Sequence, residues 1–227
     1  MKYYSPLTPW LERQRTLPDF AFLEQGEPDF ELGGFLGMDY CYSLHEVNRH
    51  NAKSLKTTWK LVREYVNKAL IISQNESGNW LDREEVAMIK EELGDPPPHC
   101  YPIYLITVGK YPNERLVYIG KTSSDVSRFV GGHKIALKLH DPLYDNLQKR
   151  VYFCSVVFIT DGDYLPIEWI SPIENAVSIL DSVESHLISS LKPELNFSKT
   201  KRNYSKYSIS LHIQNFTDSK VLNDVIV

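Results

Sequence analysis

The chain has 227 residues, 42% of them hydrophobic and 24% charged, with a net charge of −4, which is material for one large or two small domains with a real apolar core. That charge speaks against a uniformly basic nucleic-acid-binding surface, and apolar runs such as Ala69–Ser73 and Val156–Ile159 are far too short to cross a bilayer. Met1-Lys2-Tyr3-Tyr4-Ser5-Pro6 lacks the apolar stretch of a signal peptide, so the expectation is a soluble, cytoplasmic protein without membrane contact.

In chain order, residues 1–43 contain Pro6, Pro9, Pro18, Pro28 and the pair Gly33-Gly34 and read as an irregular arm with one short helix. Ser54–Ser73 places Leu55, Trp59, Val62, Val66, Ala69 and Leu70 at helical spacing. Asp82–Leu93 does the same with Val86, Ile89 and Leu93, behind acidic residues in the first turn. Gly94-Asp95-Pro96-Pro97-Pro98 then stops any helix, because three prolines remove three backbone donors.

Beyond the prolines the texture changes. Tyr101–Val108 and Arg115–Ile119 are short, β-branched and aromatic, separated by a Gly-Lys-Tyr-Pro-Asn cluster, the pattern of a hairpin with a longer loop. Ser124–Leu139 has weaker helical spacing, interrupted by Gly131-Gly132. Arg150–Thr160 is an unbroken apolar run suited to a central strand. Glu174–Leu191 is an amphipathic helix, ended by Pro193. Tyr207–Ile213 reads as a last strand.

Charge is unevenly spread. Residues 1–100 carry 11 Lys+Arg against 16 Asp+Glu, whereas 110–150 carry 8 against 4 and 192–206 carry 5 against 1. The two basic stretches suit phosphate, or are two solvated faces. The cysteines Cys41, Cys100 and Cys154 form no Cys-x-x-Cys pair and their odd number argues against a disulfide framework. They read as small buried hydrophobes. No histidine set has zinc-ligand spacing.

One ordered constellation carries chemistry. Ile103-Tyr104, Tyr118-Ile119-Gly120-Lys121, Arg128, Glu184, Pro193 and Asn196 together resemble the motif series of the GIY-YIG nuclease family, over roughly residues 100–200. Three departures stand out. Pro102 replaces the first glycine, the gap between the tyrosines is longer than in compact members, and His133 follows Arg128 by five residues, behind two glycines.

The resemblance implies an α+β fold: a small GIY-YIG-type α/β sandwich, its central, mainly antiparallel sheet flanked by helices, behind an N-terminal mostly α-helical region. It divides the chain into 1–98, for DNA recognition or dimerisation, a nuclease domain at 99–205, and a C-terminal strand and tail at 206–227. The implied activity is metal-dependent hydrolysis of DNA phosphodiesters by a restriction-type endonuclease, with DNA as partner and a homodimer for sequence-specific cutting.

The roles it implies suit the residue types. Glu184 supplies hard carboxylate oxygens for one Mg²⁺ or Mn²⁺. By helical spacing it sits at the rim of the buried face. Arg128 is a fixed-charge fork for the phosphate. Tyr104 is the general base, although a phenol titrates near 10 and must be shifted down to act. Tyr118 donates to the phosphate or the water and keeps Tyr104 in place. Lys121 contacts phosphate, and Asn196 tethers the loop after the helix or orients Glu184 at the substrate site. His133 either polarises Tyr104 or is a plain surface or capping histidine. Lys199, Lys201 and Arg202 form a DNA-backbone loop, or a solvated linker. The alternative function is a non-catalytic nucleic-acid-binding or interaction protein on a retired GIY-YIG fold.

Overall fold

The computed structural model describes residues 5–17, 32–49, 53–75, 80–122, 134–160 and 163–227. Local chemistry accounts for the helices. Helix α1 is a single turn, Thr8–Leu11, and strand β1 follows at Leu32–Ser43. Helix α2, Leu55–Ser73, begins where the Ser54 hydroxyl accepts the Thr57 N–H and ends where Gln74 turns left-handed at φ 54°. Helix α3, Arg83–Leu93, starts with a complete capping box between Asp82 and Glu85. The two are joined by the Tyr65 hydroxyl, which donates to the Gly94 carbonyl at 2.9 Å.

Strands β2 (Ile103–Val108) and β3 (Arg115–Lys121) form the expected hairpin. A short helix α4 (Lys134–Lys138) is the part of the Ser124–Leu139 expectation within the described residues. Then come β4 (Lys149–Thr160), β5 (Asp163–Pro166), α5 (Ile173–Leu191), β6 (Ile209–Asn215) and β7 (Val225–Ile226).

The strands make one mixed seven-stranded sheet in the order β3-β2-β4-β1-β6-β7. Strand β1 runs parallel to β6 and the other pairs are antiparallel. The apolar run of β4 does lie in the middle. On one side it pairs with β1, and on the other first with β2 and then with β5.

Strand β1 departs from expectation. The irregular arm expected up to residue 43 holds a twelve-residue strand instead, so the N-terminal hundred residues are not helical throughout, and the sheet runs across the expected boundary at residue 98. Glycines hid it, since they lower strand propensity and leave no alternation to read. At Gly34 the glycine is required. A Cβ there would stand 2.7 Å from the Val157 carbonyl oxygen of β4.

Each face of the sheet has its own core. On one, Leu36, Met38, Ile103, Leu105, Ile119 and Val156 pack under α2 and α5. On the other, Tyr104, Ile106, Val108, Val151 and Phe153 pack against Ile135, Leu139, Tyr144 and Leu195. Cys100 and Cys154 are fully buried and Cys41 half-buried, all as free thiols. Burial pushes the Cys100 and Cys154 thiols well up, which keeps them unreactive. Among the described residues no helix is long and apolar enough to cross a membrane.

Candidate functional site

The hairpin register decides which side chains meet. Tyr104 pairs with Gly120 and Ile106 with Tyr118, and directly opposed residues share a face. The two tyrosines are therefore neighbours, with ring centroids 6.0 Å apart and planes tilted by 38°. Tyr104 is 1% exposed. Its ring lies over Gly120, where an added Cβ would be 2.5 Å from both Cζ and the phenol oxygen and 2.9 Å from the Tyr118 ring. The glycine of Tyr118-Ile119-Gly120 is thus required sterically by Tyr104.

Pro102 is tolerated at its place in the sheet. It precedes the first residue of β2, where a missing N–H costs the ladder nothing. Its carbonyl still accepts the Thr122 N–H at 2.8 Å. The extra residues between the tyrosines lie in the loop from Gly109, at φ 94°, to Glu114.

Helix α5 carries the carboxylates. Ala176, Ile179, Leu180, Val183 and Leu187 face the core. Glu184 sits at the rim, its side chain 13% exposed, and accepts from the Lys199 ammonium at 2.6 Å. One turn earlier Asp181 pairs with Lys121, which reaches it from the end of β3. Tyr104 and Tyr118 face one side of the sheet, while Ile119 and Lys121 face α5 on the other. The two groups flank opposite faces of β3, an edge strand of the sheet.

The chain after α5 closes that edge. Lys192 turns left-handed at φ 47°. Pro193 is buried, and the Leu195 N–H donates to the Val117 carbonyl at 2.9 Å. The Asn196 amide then binds Ile119 twice. Its oxygen accepts the Ile119 N–H and its nitrogen donates to the Ile119 carbonyl, both at 2.9 Å. Asn196 is 9% exposed. It tethers the strand, and the substrate contact expected of it finds both its polar atoms engaged.

The basic segment beyond is strapped along the same helix. The Ser185 hydroxyl accepts the Tyr204 N–H at 2.8 Å and the Ser182 hydroxyl accepts the Lys206 N–H at 3.1 Å. Lys201 and Arg202 are exposed, and the Arg202 guanidinium lies 5.7 Å from the Tyr204 ring centroid. Arg128 and His133 lie outside the described residues.

Sequence reasoning missed Asp181, Ser182 and Ser185. A signal for the first existed, since Asp181 and Glu184 are three apart and so share one helix face. The two serines gave none, because hydroxyls within an amphipathic helix read as filler. His186 is half-buried, and its Nε2 has no hydrogen-bond partner among the described residues.

Glu184 is a carboxylate of the chemistry a hard cation would need, and it is paired with Lys199. It is a rim carboxylate that already attracts an ammonium, with a second carboxylate one turn away. Among the described residues no group of three or more His, Cys, Asp or Glu surrounds a common point, so water and phosphate oxygens would complete the shell. In comparisons with known proteins the chain matches no family model, no curated protein and no solved structure.

Proposed function

We propose that the protein is a metal-dependent DNA endonuclease of GIY-YIG type. The observation that carries this reading is the use made of Tyr118-Ile119-Gly120. Tyr118 packs beside Tyr104, the Ile119 backbone is gripped by Asn196, and Gly120 leaves the space that the Tyr104 phenol fills. Three consecutive residues thus answer to two other members of the motif series, Tyr104 and Asn196. A chance Tyr-Ile-Gly on a strand would have no such correspondences.

Tyr104 takes the proton of the attacking water, and Tyr118 holds the phenol in place. Arg128 grips the phosphate as a fork, and Lys121 adds a point charge. Lys199, Lys201 and Arg202 run along the DNA backbone beside α5. Glu184 holds a divalent ion, Mg²⁺ or Mn²⁺, which when bound supplies Lewis-acid relief of the phosphorane charge. Tyr118 and Lys121 lie on β3, with Tyr104 on β2 beside it and Glu184 on α5, so this reading requires a phosphodiester that lies across the end of that edge strand. Sequence-specific, restriction-type cutting by a homodimer is part of this reading.

The Glu184–Lys199 pair favours a second reading. A lysine holding that carboxylate permanently would leave a retired, DNA-binding fold. One experiment separates the two: plasmid, phage and genomic DNA are incubated with the protein and Mg²⁺ or Mn²⁺, then with EDTA, for wild type, Glu184→Ala and Tyr104→Phe. The endonuclease reading expects metal-dependent cuts lost in both variants. Cuts that persist in both would discard the site assignment. Salt-sensitive binding without cutting would establish the retired fold.

A further inference from the structure

The sheet face that carries Tyr104 continues into a cavity with no part in the proposed hydrolysis. The continuity is a matter of register. Gly120 pairs with Tyr104, Tyr104 with Phe153, and Phe153 with Tyr40, so one row of opposed residues crosses β3, β2, β4 and β1. At about 4.8 Å per strand, Tyr40 stands roughly 10 Å from Tyr104. There it forms the wall of a cavity of about 950 Å³, within the size range of ligand sites.

The lining has a definite chemistry. Tyr40 and Tyr101 meet edge to face at 5.4 Å, and Phe35, tilted against Tyr164 at 6.1 Å, lines the same cavity with Phe216. The floor is bare at Gly37, where a Cβ would come within 2.9 Å of the Ser155 hydroxyl, 3.3 Å of the Phe216 ring and 3.4 Å of an Asp39 carboxylate oxygen. Asp39 accepts the Ser155 backbone N–H at 3.2 Å and a second bond from the Ser155 side chain. A carboxylate has about four acceptor positions, so among the described residues Asp39 keeps capacity to accept, on a side chain that lines the cavity together with the His99 ring. Burial raises the Asp39 carboxyl above its usual range. Its charge is under-solvated, and a donating ligand would relieve that.

We infer that this cavity is a nucleobase site, in which aromatic rings stack on a flat heterocycle and Asp39 accepts from its exocyclic amino group. Aromatic walls with one carboxylate favour adenine, cytosine or guanine, whose exocyclic amino group offers two N–H donors, over thymine, whose one ring donor is N3–H. The base belongs either to a free nucleotide or to a nucleotide turned out of a DNA strand near the cut. The second source rests on the endonuclease reading, and the first does not.

The test is binding in EDTA, where no metal-dependent cutting occurs. The four deoxynucleoside monophosphates are titrated by calorimetry, and a short oligonucleotide with one unpaired 2-aminopurine is titrated by fluorescence. Each is run against wild type, Asp39→Asn, Phe35→Ala and, as a control on the exposed face of α2, Glu64→Ala. The expected result is that amino-bearing bases bind at least tenfold tighter than thymine. Asp39→Asn and Phe35→Ala should each lose at least tenfold, and Glu64→Ala should bind as wild type does.

Asp39-dependent binding of free monophosphates assigns the first source, and Asp39-dependent quenching of 2-aminopurine in the oligonucleotide alone assigns the second. Melting temperatures identify any variant that fails to fold, and Phe35→Ala then decides for Asp39→Asn. Binding of all four bases alike, or binding unchanged in both cavity variants, overturns the site. If wild type binds bases in this way but cuts no DNA, only the endonuclease reading falls.

Discussion

Two half-hidden glutamates show how differently the molecule treats a carboxylate. Glu114, in the hairpin loop, has a side chain 3% exposed. It accepts from the Thr107 and Tyr152 hydroxyls at 2.7 Å, from the Arg150 guanidinium at 2.8 Å and from the Ser219 hydroxyl at 3.0 Å. Four donors from β2, β4 and the C-terminal segment fill its oxygens. The knot holds the loop that lets β2 turn into β3. Among the described residues Glu184 accepts from one side chain, the Lys199 ammonium. A carboxylate saturated by protein donors is structural, because nothing can be added to it. One balanced by a single cation keeps room for another.

The largest expected effect would break this comparison if it failed. Glu184→Ala should cut the rate of DNA cleavage by about 10³-fold or more, roughly 4 kcal/mol of transition-state stabilisation. Its stability to urea should fall by less than about 1 kcal/mol, since a rim ion pair contributes little. Glu114→Ala should do the reverse. Removing the carboxylate takes the acceptor from one Arg150 nitrogen and from three hydroxyls, at a cost of about 3 kcal/mol in unfolding free energy. Its cleavage should persist at temperatures where the variant stays folded. Equal loss of stability in both variants would end the distinction.

A smaller effect sharpens the claim about the tyrosines. Gly120→Ala inserts a methyl group 2.5 Å from the Tyr104 phenol, so the ring must shift. About 2 kcal/mol of stability should be lost by overpacking, and cleavage should fall more than stability predicts. In Tyr104→Phe the same alanine should cost less, because one of the two Tyr104 atoms it meets at 2.5 Å, the phenol oxygen, has gone while Cζ stays. A double-mutant cycle on urea unfolding measures that coupling. Additive effects would mean that Gly120 serves the strand rather than Tyr104.

How far the chain could be read before folding follows the same division between local and long-range causes. Helices α2, α3 and α5 were legible because caps and apolar spacing are local, as Ser54, Asp82 with Glu85, and Val183 with Leu187 show. The hairpin and β4 were legible from β-branched and aromatic runs. Strand β1 was not, because Gly33, Gly34 and Gly37 leave no alternation to read, and the reason for Gly34, the Val157 carbonyl of β4 against it, lies on a distant segment. The tethering option for Asn196 and the rim position of Glu184 agree with the geometry. The lysine on Glu184, the Asp181 beside it and the serine strap depend on chain segments meeting in space. No spacing rule announced the Glu114 knot, whose partners lie on two strands and the C-terminal segment.

The smallest effect concerns a third carboxylate, Glu168, which is 1% exposed and lies between the other two kinds. It accepts the Cys100 N–H at 2.7 Å and has the His99 ring nitrogen 3.6 Å away. Burial alone would raise its carboxyl, but His99 and the Cys100 N–H outweigh burial, and the net shift is below the usual 4.5. A carboxyl lowered on folding adds stability above its unfolded value, and that contribution disappears as the pH falls through the folded value. Stability should therefore drop on acidification below about pH 4.5, with a slope of up to about 1.4 kcal/mol per pH unit from this group. Asp39 is shifted the other way, above 3.8, chiefly by burial. Its contribution is present at low pH and lost as the pH rises through its folded value, so it partly offsets the slope. Glu168→Gln should flatten the acid limb of a urea-unfolding series, and Asp39→Asn should steepen it. If Glu168→Gln left the limb unchanged, the acid sensitivity would belong to other carboxylates and the His99 contact would contribute nothing to Glu168.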